Sequence, residues 1–370
     1  MKPLVVIAAG GTGGHMFPAQ AFADEMRARG WTIALVTDER GRKYALNFPA
    51  DWQLLVEAAT FGSKLPHKLI GSALKLRKGT AMARQNFEKT RPSLVAGFGG
   101  YPSYPSLSAA RELKIPILIH EQNSVLGRVN RLFATQAKFV GCGFERLDRL
   151  PPQAADRKRV VGNPVRNPIK AVREKPYPDL SDTGPLNILV TGGSQGARLF
   201  GEIIPAAVAA LPPEQKKRLT VVQQAREEQL EAVRAAYREA GVKAVVESFF
   251  SDMQERLAAA HLVIARSGAS TVTELAIAGR PSILVPLAIA TTDHQTANAE
   301  GMVTSAAADV VPEPKFTVEM LTPLLLERIS NAGVLKARAR AAWQLGNPNA
   351  ARDLADLAEQ AAGVTGKRNA

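Results

Sequence analysis

The chain has 370 residues, long for one domain and suited to two. Its hydrophobic fraction of 46% and charged fraction of 22% exclude collagen-like, fibrous and wholly disordered chains. A formal charge of +13 asks for an anionic partner, with nucleic acid, an anionic membrane surface and a phosphorylated substrate as candidates; 6% aromatic content without aromatic–basic alternation argues against nucleic acid.

Leu4 to Ala9 is apolar and runs into Gly10-Gly11-Thr12-Gly13-Gly14 without a small-residue cleavage region, so it reads as a buried strand and not a secretory signal. The uncharged stretches are broken by Gly and Pro, and no spanning helix is expected. Strand-like runs follow at Thr32 to Val36, Leu94 to Ala96, Ile117 to Ile119 and Phe139 to Val140, alternating with helical stretches. A proline-rich segment then separates a second series: Asn187 to Val190, Leu219 to Val222, Ala244 to Val246, Leu262 to Ala265 and Ser282 to Val285. The alternation predicts an α/β protein of two doubly wound, Rossmann-like domains facing a cleft, over 1–163 and 164–345. An Ala-rich helix and a final short helix at about 350–361 close the chain. Cys142 is the only cysteine, which excludes an intramolecular disulfide and a multi-cysteine zinc site and fits a cytoplasmic home. Five histidines without paired spacing, and no Asp-x-Asp, give no metal site and no cofactor.

Each half opens with a strand, a glycine turn and a helix, the geometry in which backbone amides meet a phosphate. In the first turn, Gly10 to Gly14, Met16 stands where a dinucleotide fingerprint needs Gly, although Asp38 at the second strand end keeps an NAD-dependent dehydrogenase open. His15 at this mouth is a candidate general base. The second turn, Gly192-Gly193-Ser194-Gln195-Gly196, also matches the nucleophile elbow of a serine hydrolase, with Asp252 and His261 or His294 as partners for Ser194. Ala265 to Glu274 joins a strand end to a helix start: Arg266 can add charge for an anion, and Glu274 either completes a capping box with Thr271 or accepts sugar hydroxyls. His120-Glu121-Gln122-Asn123, Gly99-Gly100-Tyr101 and Asp293-His294-Gln295 stand at further strand ends, and Arg166 at the hinge. From Ala58 to Phe87 no acidic residue occurs, while Lys64, Lys68, Lys75, Arg77, Lys78 and Arg84 punctuate leucines, a pattern shared by solvated helices and shallow membrane binders.

Gly11 to His15, Gly99 to Tyr101, His120 to Asn123, Gly162 to Arg166, Gly192 to Ala197 and Arg266 to Glu274, in this order, resemble the motif set of the MurG family of peptidoglycan glycosyltransferases. The resemblance implies a glycosyltransferase B fold, with acceptor binding mainly in the N-terminal domain and nucleotide sugar in the C-terminal one. It implies inverting transfer of N-acetylglucosamine (GlcNAc) from UDP-GlcNAc to the 4-hydroxyl of undecaprenyl-diphosphate-linked muramoyl-pentapeptide, from lipid I to lipid II, by a peripheral protein of the cytoplasmic membrane face. Partners implied are these two substrates, the anionic membrane surface and other cell-wall synthesis proteins. By motif, Thr12, Gly13, Gly14, Asn123, Arg166, Ser194 and Gln295 would contact the donor; Ala269, Ser270, Thr271, Val272, Thr273 and Glu274 would hold diphosphate and ribose, and Phe250 would offer its backbone to uracil. The stretch after Asp293 lacks the family's double glutamine, which leaves the sugar-contacting amide open between Gln295 and Asn298. His15 is the expected base, with Glu121 as the second candidate.

Overall fold

The computed structural model describes residues 2–58, 66–193, 196–287 and 293–364, with backbone alone over 66–70. Contacts divide the chain into two units, Met1–Arg166 with Asn347–Ala370, and Asn167–Gly346.

The first unit runs β1 (Leu4–Ala8), α1 (Gly13–Ala28), β2 (Thr32–Thr37), α2 (Arg42–Ala45), β3 (Trp52–Leu55), α3 (Pro66–Thr90), β4 (Leu94–Gly97), α4 (Ser103–Glu112), β5 (Ile117–Glu121), α5 (Arg128–Phe133), β6 (Phe139–Cys142) and β7 (Lys158–Val160). Among the described residues these strands form one parallel sheet, ordered β3-β2-β1-β4-β5-β6-β7. Its central strands are buried on both faces: Val5 and Ile7 lie in one cluster with Met16, Phe22 and Met26 of α1, while Leu4 and Val6 lie in another with Phe87 and Leu107. Burial on both faces is why these strands read as continuous apolar runs.

The second unit runs α6 (Asn167–Lys170), β8 (Leu186–Thr191), α7 (Arg198–Ala209), α8 (Pro213–Arg218), β9 (Leu219–Gln224), α9 (Leu230–Glu239), β10 (Lys243–Glu247), α10 (Met253–Ala259), β11 (Leu262–Ala265), α11 (Ala269–Ala278), β12 (Ser282–Leu284), α12 (His294–Thr304), β13 (Ala308–Val310), α13 (Val318–Ile329) and α14 (Ala332–Leu345). Its parallel sheet, again among the described residues, is ordered β10-β9-β8-β11-β12-β13. Each sheet reverses its strand order once, between β1 and β4 and between β8 and β11. Such a reversal is where α/β sheets bind ligands, beyond the strands' carboxyl ends.

The division lies after Arg166, slightly beyond the boundary read from the sequence. The intervening residues are held by the first unit: Asn163 Nδ2 donates to the Gln122 carbonyl at 3.0 Å, and the Arg166 guanidinium sits 3.9 Å from the centre of the Phe17 ring.

α15 (Ala350–Ala362) returns to the first unit and packs on α1 and on β4 to β6. Leu354, Ala358 and Ala361 recur at helical spacing and are buried there, and a side chain on Gly141 would come within 2.9 Å of Leu354. Arg29 reaches across to Asp356 at 2.7 Å and Glu359 at 2.8 Å, and the Trp31 indole donates to Glu359 at 3.3 Å. Removing the Leu354 side chain from this fully buried position should cost roughly 2–5 kcal/mol, whereas Asp356→Ala, at a site 58% exposed, should cost less than about 1 kcal/mol. Urea unfolding of Leu354→Ala and Asp356→Ala checks that order; equal effects would mean that the ion pairs hold α15.

Candidate functional site

In the first unit, β1 ends in the Gly10 to Gly14 turn and α1 begins at Gly13. Thr12, the cap residue, is extended, and among the described residues no side chain caps this helix start. A helix start of this kind leaves first-turn amides without partners inside the helix, although the His15 amide bonds the Thr12 carbonyl at 3.2 Å.

His15 lies in that first turn, and its Nδ1 is 2.8 Å from Gln122 Oε1. The Gln122 amide nitrogen lies 3.0 Å from His120 Nδ1 and 3.1 Å from the His120 carbonyl. His120 Nε2 is 3.0 Å from the Gly162 carbonyl, which can only accept, so this nitrogen carries the proton. Two glycines make the space: Gly99 and Gly100 have φ of +85° and +76°. A Cβ on Gly99 would sit 3.3 Å from His15 Cε1, and one on Gly100 only 2.8 Å from the Gly10 carbonyl.

Glu121 points to other partners. Its carboxylate accepts from the Asn123 amide at 3.1 Å, Asn123 Nδ2 at 3.2 Å, the Gly127 amide at 2.9 Å and Asn130 Nδ2 at 2.9 Å. With 2% exposure and four donors, it fixes the turn from β5 into α5. Arg166 stacks on Phe17, and its buried Nε has no partner among the described residues.

In the second unit, Gln224 ties three strand ends together. Its Oε1 accepts from Thr191 Oγ1 at 3.0 Å and the Gly192 amide at 3.2 Å, while Nε2 donates to the Ser248 carbonyl at 3.2 Å. Gly193, at φ +79°, then carries the chain away. Ser194 lies outside the described residues. Phe250, just beyond β10, is buried under Arg256, whose guanidinium is 5.1 Å from the ring centre.

α11 starts at Ala269 behind an extended Gly268 and, among the described residues, has no side-chain cap. Thr271 is thus the third residue inside the helix, which corrects the capping-box reading of Thr271 with Glu274: that motif needs its hydroxyl residue at the cap. The hydroxyls of Ser267 and Ser270 are buried and unpartnered among the described residues. Val272 is buried in the helix's core face, with Thr273 and the half-buried Glu274 beside it.

Arg266 does not supply loose charge for an anion, as the sequence had allowed. Its Nη1 binds the Val285 carbonyl at 3.2 Å and Glu313 at 2.9 Å, and the guanidinium lies over the Phe200 ring. Gln295, in the first turn of α12, accepts from the Leu287 amide at 3.0 Å. Asn298 is buried and donates to the Ser267 carbonyl at 3.3 Å.

The structure takes His261 out of the hydrolase triad, whose nucleophile Ser194 lies outside the described residues. His261 Nδ1 accepts from the Asn187 amide at 2.9 Å, at the amino end of β8, and its Nε2 reaches the Asp179 carbonyl at 3.1 Å, so it serves the opposite end of the sheet from the glycine turn. Asp38, the residue that kept a dehydrogenase open, is engaged by the Gly41 amide at 3.0 Å and by Arg40 at 2.9 Å.

Gln224 and Glu313 were missed from the sequence. Gln223-Gln224 following the apolar Leu219 to Val222 carries the same polar strand-end signal that singled out His120 to Asn123. Glu313 lies far from Arg266 in sequence, and no local pattern links them.

Burial pushes the His120 imidazole down from 6.5 to about 4. Its protonation is therefore easier in the unfolded chain, so stability is unaffected above pH 6.5 and falls as pH drops toward 4, by roughly 3 kcal/mol. Urea titrations across that window should show the slope in the parent protein and its loss in His120→Gln; an unchanged slope would contradict the neutral, buried imidazole.

Residues 5–141 match the model of the glycosyltransferase family 28 N-terminal domain, and residues 187–359 that of the glycosyltransferase family 28 C-terminal domain. The chain is 52% identical over 350 residues to the UDP-N-acetylglucosamine–N-acetylmuramyl-(pentapeptide) pyrophosphoryl-undecaprenol N-acetylglucosamine transferase of Maricaulis maris (strain MCS10), covering 95% of each chain. It is 49% identical over 362 residues to the transferase of the same name from Caulobacter vibrioides (strain NA1000 / CB15N), covering 98% of this chain and 100% of that protein. The crystal structure of Acinetobacter baumannii MurG matches with a TM-score of 0.78 at 33% identity, over 97% of this chain and 99% of that one. With two doubly wound parallel sheets, matched family models over both and relatives of nearly full length, the chain belongs to glycosyltransferase family 28 and is a hexosyltransferase of the glycosyltransferase B fold.

Proposed function

We propose that the chain transfers N-acetylglucosamine from UDP-GlcNAc to the 4-hydroxyl of the muramoyl sugar of undecaprenyl-diphosphate-linked muramoyl-pentapeptide. The observation that carries this reading is the start of α11. There, among the described residues, a helix end without a side-chain cap and two buried serine hydroxyls without partners stand beside the strand reversal, in a family member whose near-full-length relatives are named for this transfer.

The donor diphosphate meets the first-turn amides of α11 and the hydroxyls of Ser270 and Thr271. Negative charge grows on the departing UDP in the transition state, and the positive end of the helix stabilises it. Glu274 accepts the ribose hydroxyls, the Phe250 backbone reads uracil, and Gln295 contacts the sugar; Asn298, already bound to the Ser267 carbonyl, shapes the α11 start. Ser194, Thr12 to Gly14, Asn123 and Arg166 complete the donor contacts.

In the first unit His15 acts as the base. As the acceptor oxygen bonds to the anomeric carbon, its proton passes to His15 Nε2; the bond from that carbon to the phosphate oxygen breaks, and its electron pair leaves with UDP. Attack from the face opposite the leaving group inverts the centre. His15→Ala should lower kcat by ~10²- to 10⁴-fold with little change in donor affinity. Near-normal turnover in His15→Ala, with none in a folded Glu121→Gln, would transfer the role to Glu121. Calorimetric titration tests the donor site: UDP-GlcNAc should bind selectively over UDP-glucose and NAD, and Glu274→Ala should weaken it by ~10- to 100-fold. No binding of either UDP-sugar would overturn the donor assignment.

The protein works as a peripheral protein on the cytoplasmic face of the cell membrane, where its lipid-linked acceptor lies. On α3, Leu76, Ala83 and Phe87 turn into the core, while Leu74 is 60% exposed beside exposed Lys75 and Arg77. Neither cation forms an ion pair among the described residues. No described helix is long and apolar enough to cross a membrane. Lys75→Glu with Arg77→Glu should reduce sedimentation with vesicles containing anionic lipid, and unchanged binding would refute this docking face.

A further inference from the structure

We propose that Gln122 and His120 are positioning residues that lock the tautomer of His15 so that its Nε2 carries the lone pair. The inference rests on the reading of His15 as the base and adds what makes it one.

The direction of every hydrogen bond in this chain follows from its far end. The Gly162 carbonyl accepts, so His120 Nε2–H donates. His120 is neutral at physiological pH, because burial disfavours its cation, and its Nδ1 is left as an acceptor. The group that faces both this nitrogen and the His120 carbonyl must be the Gln122 NH₂, which has two protons to give. Gln122 Oε1 is thereby turned toward His15, where it can only accept. His15 Nδ1 must hold the proton, and the neutral ring has its lone pair on Nε2.

The chain is rigid as well as directed. His120 and Gln122 are each about 1% exposed, the His120 ring lies 5.4 Å from that of Phe98, and Asn163 Nδ2 holds the Gln122 backbone carbonyl at 3.0 Å. Among the described residues, the charged and titratable groups next to His15 in the strand-end turns have these positions. Glu121 is held by Asn123, Gly127 and Asn130, Asp38 by Arg40 and the Gly41 amide, Arg166 stacks on Phe17, and Tyr101 follows Gly100 in the adjoining turn. The group hydrogen-bonded to His15 Nδ1 is the uncharged Gln122 amide.

The decisive experiment is ¹⁵N NMR of the histidine-labelled full-length protein, with the His15 signals identified by their loss in His15→Ala. In the neutral form Nδ1 should have the shift of a protonated nitrogen and Nε2 that of an unprotonated one; the reverse pattern, or an averaged one, would overturn the lock. Kinetics give a second test. Gln122→Met should lower kcat ~10- to 100-fold with an unchanged KM for UDP-GlcNAc. Gln122→Glu, which puts a carboxylate against Nδ1–H and favours the imidazolium, should move the acidic limb of the kcat/KM profile up by about one pH unit or more. Full activity in Gln122→Met with an unmoved limb in Gln122→Glu would refute the positioning role even if His15→Ala is inactive. Normal turnover in His15→Ala would instead remove the base assignment on which the role rests.

Discussion

Parallel strands bring all their carboxyl ends to one edge of a sheet, and this constraint governs both halves of the molecule. At that edge the backbone leaves one strand, turns and enters a helix whose first amides have no partner within the helix. Where strand order reverses, the two flanking connections leave on opposite faces and do not cover the edge between them. Polar groups there that are shielded from water must be satisfied by side chains or by a ligand.

The two sheets meet this requirement differently. In the first unit, side chains supply most of the answer: Glu121 accepts four donors, and His15, Gln122 and His120 form a chain that ends on a backbone carbonyl. In the second, Gln224 supports the glycine turn, but Ser267 and Ser270 keep buried hydroxyls that have no partner among the described residues, at a helix start without a side-chain cap among them. An edge already filled with directed hydrogen bonds is suited to hold a base in one orientation. An edge left with unmet donors is suited to an anion.

The net charge of +13 is a poorer guide than these edges. Several cations are parts of the fold. Arg280 is buried and donates to the Leu257 and Ala258 carbonyls at the end of α10, and desolvation pushes it down to about 10. Arg328 and Arg338 share Asp309, and Arg29 pairs with Asp356 and Glu359 of α15. A guanidinium over the last carbonyls of a helix opposes the helix dipole and satisfies acceptors at once. Charge spent in this way attracts no substrate, and a sequence-level sum cannot separate it from Lys75 and Arg77 on the outer face of α3.

What could be read from the sequence follows the same division between local and distant causes. Central strands such as β1, β5, β8 and β11 announce themselves because burial on both faces demands unbroken apolar runs. The edge strands β3, β7 and β13 were not recognised, although the edge strand β10 was; β3 is four residues long with half-buried and exposed residues alternating, and β7 and β13 are three residues each, too short to show a pattern. Glycine turns and polar strand ends were visible because each is a local pattern, and they marked His15, His120 to Asn123 and the α11 start correctly as strand-end groups. Their partners were not visible. Glu313 on Arg266, Gln224 under Gly192 and the Gly162 carbonyl on His120 are joined only by the fold.

The partner of His15 shows why such distant links matter chemically. A histidine base usually has a carboxylate behind it, which orients the ring and stabilises its cation. An amide orients the ring through the same kind of hydrogen bond but brings no charge. The amide has a weakness that a carboxylate lacks: its two ends differ, and a flip would present NH₂ to the ring and favour the wrong tautomer. His120 removes that weakness, because its neutral Nδ1 and its carbonyl both attract the NH₂ end. The burial that keeps His120 neutral is therefore what gives Gln122 one orientation, and a polar residue deep in the sheet edge determines which nitrogen of His15 is free to accept a proton.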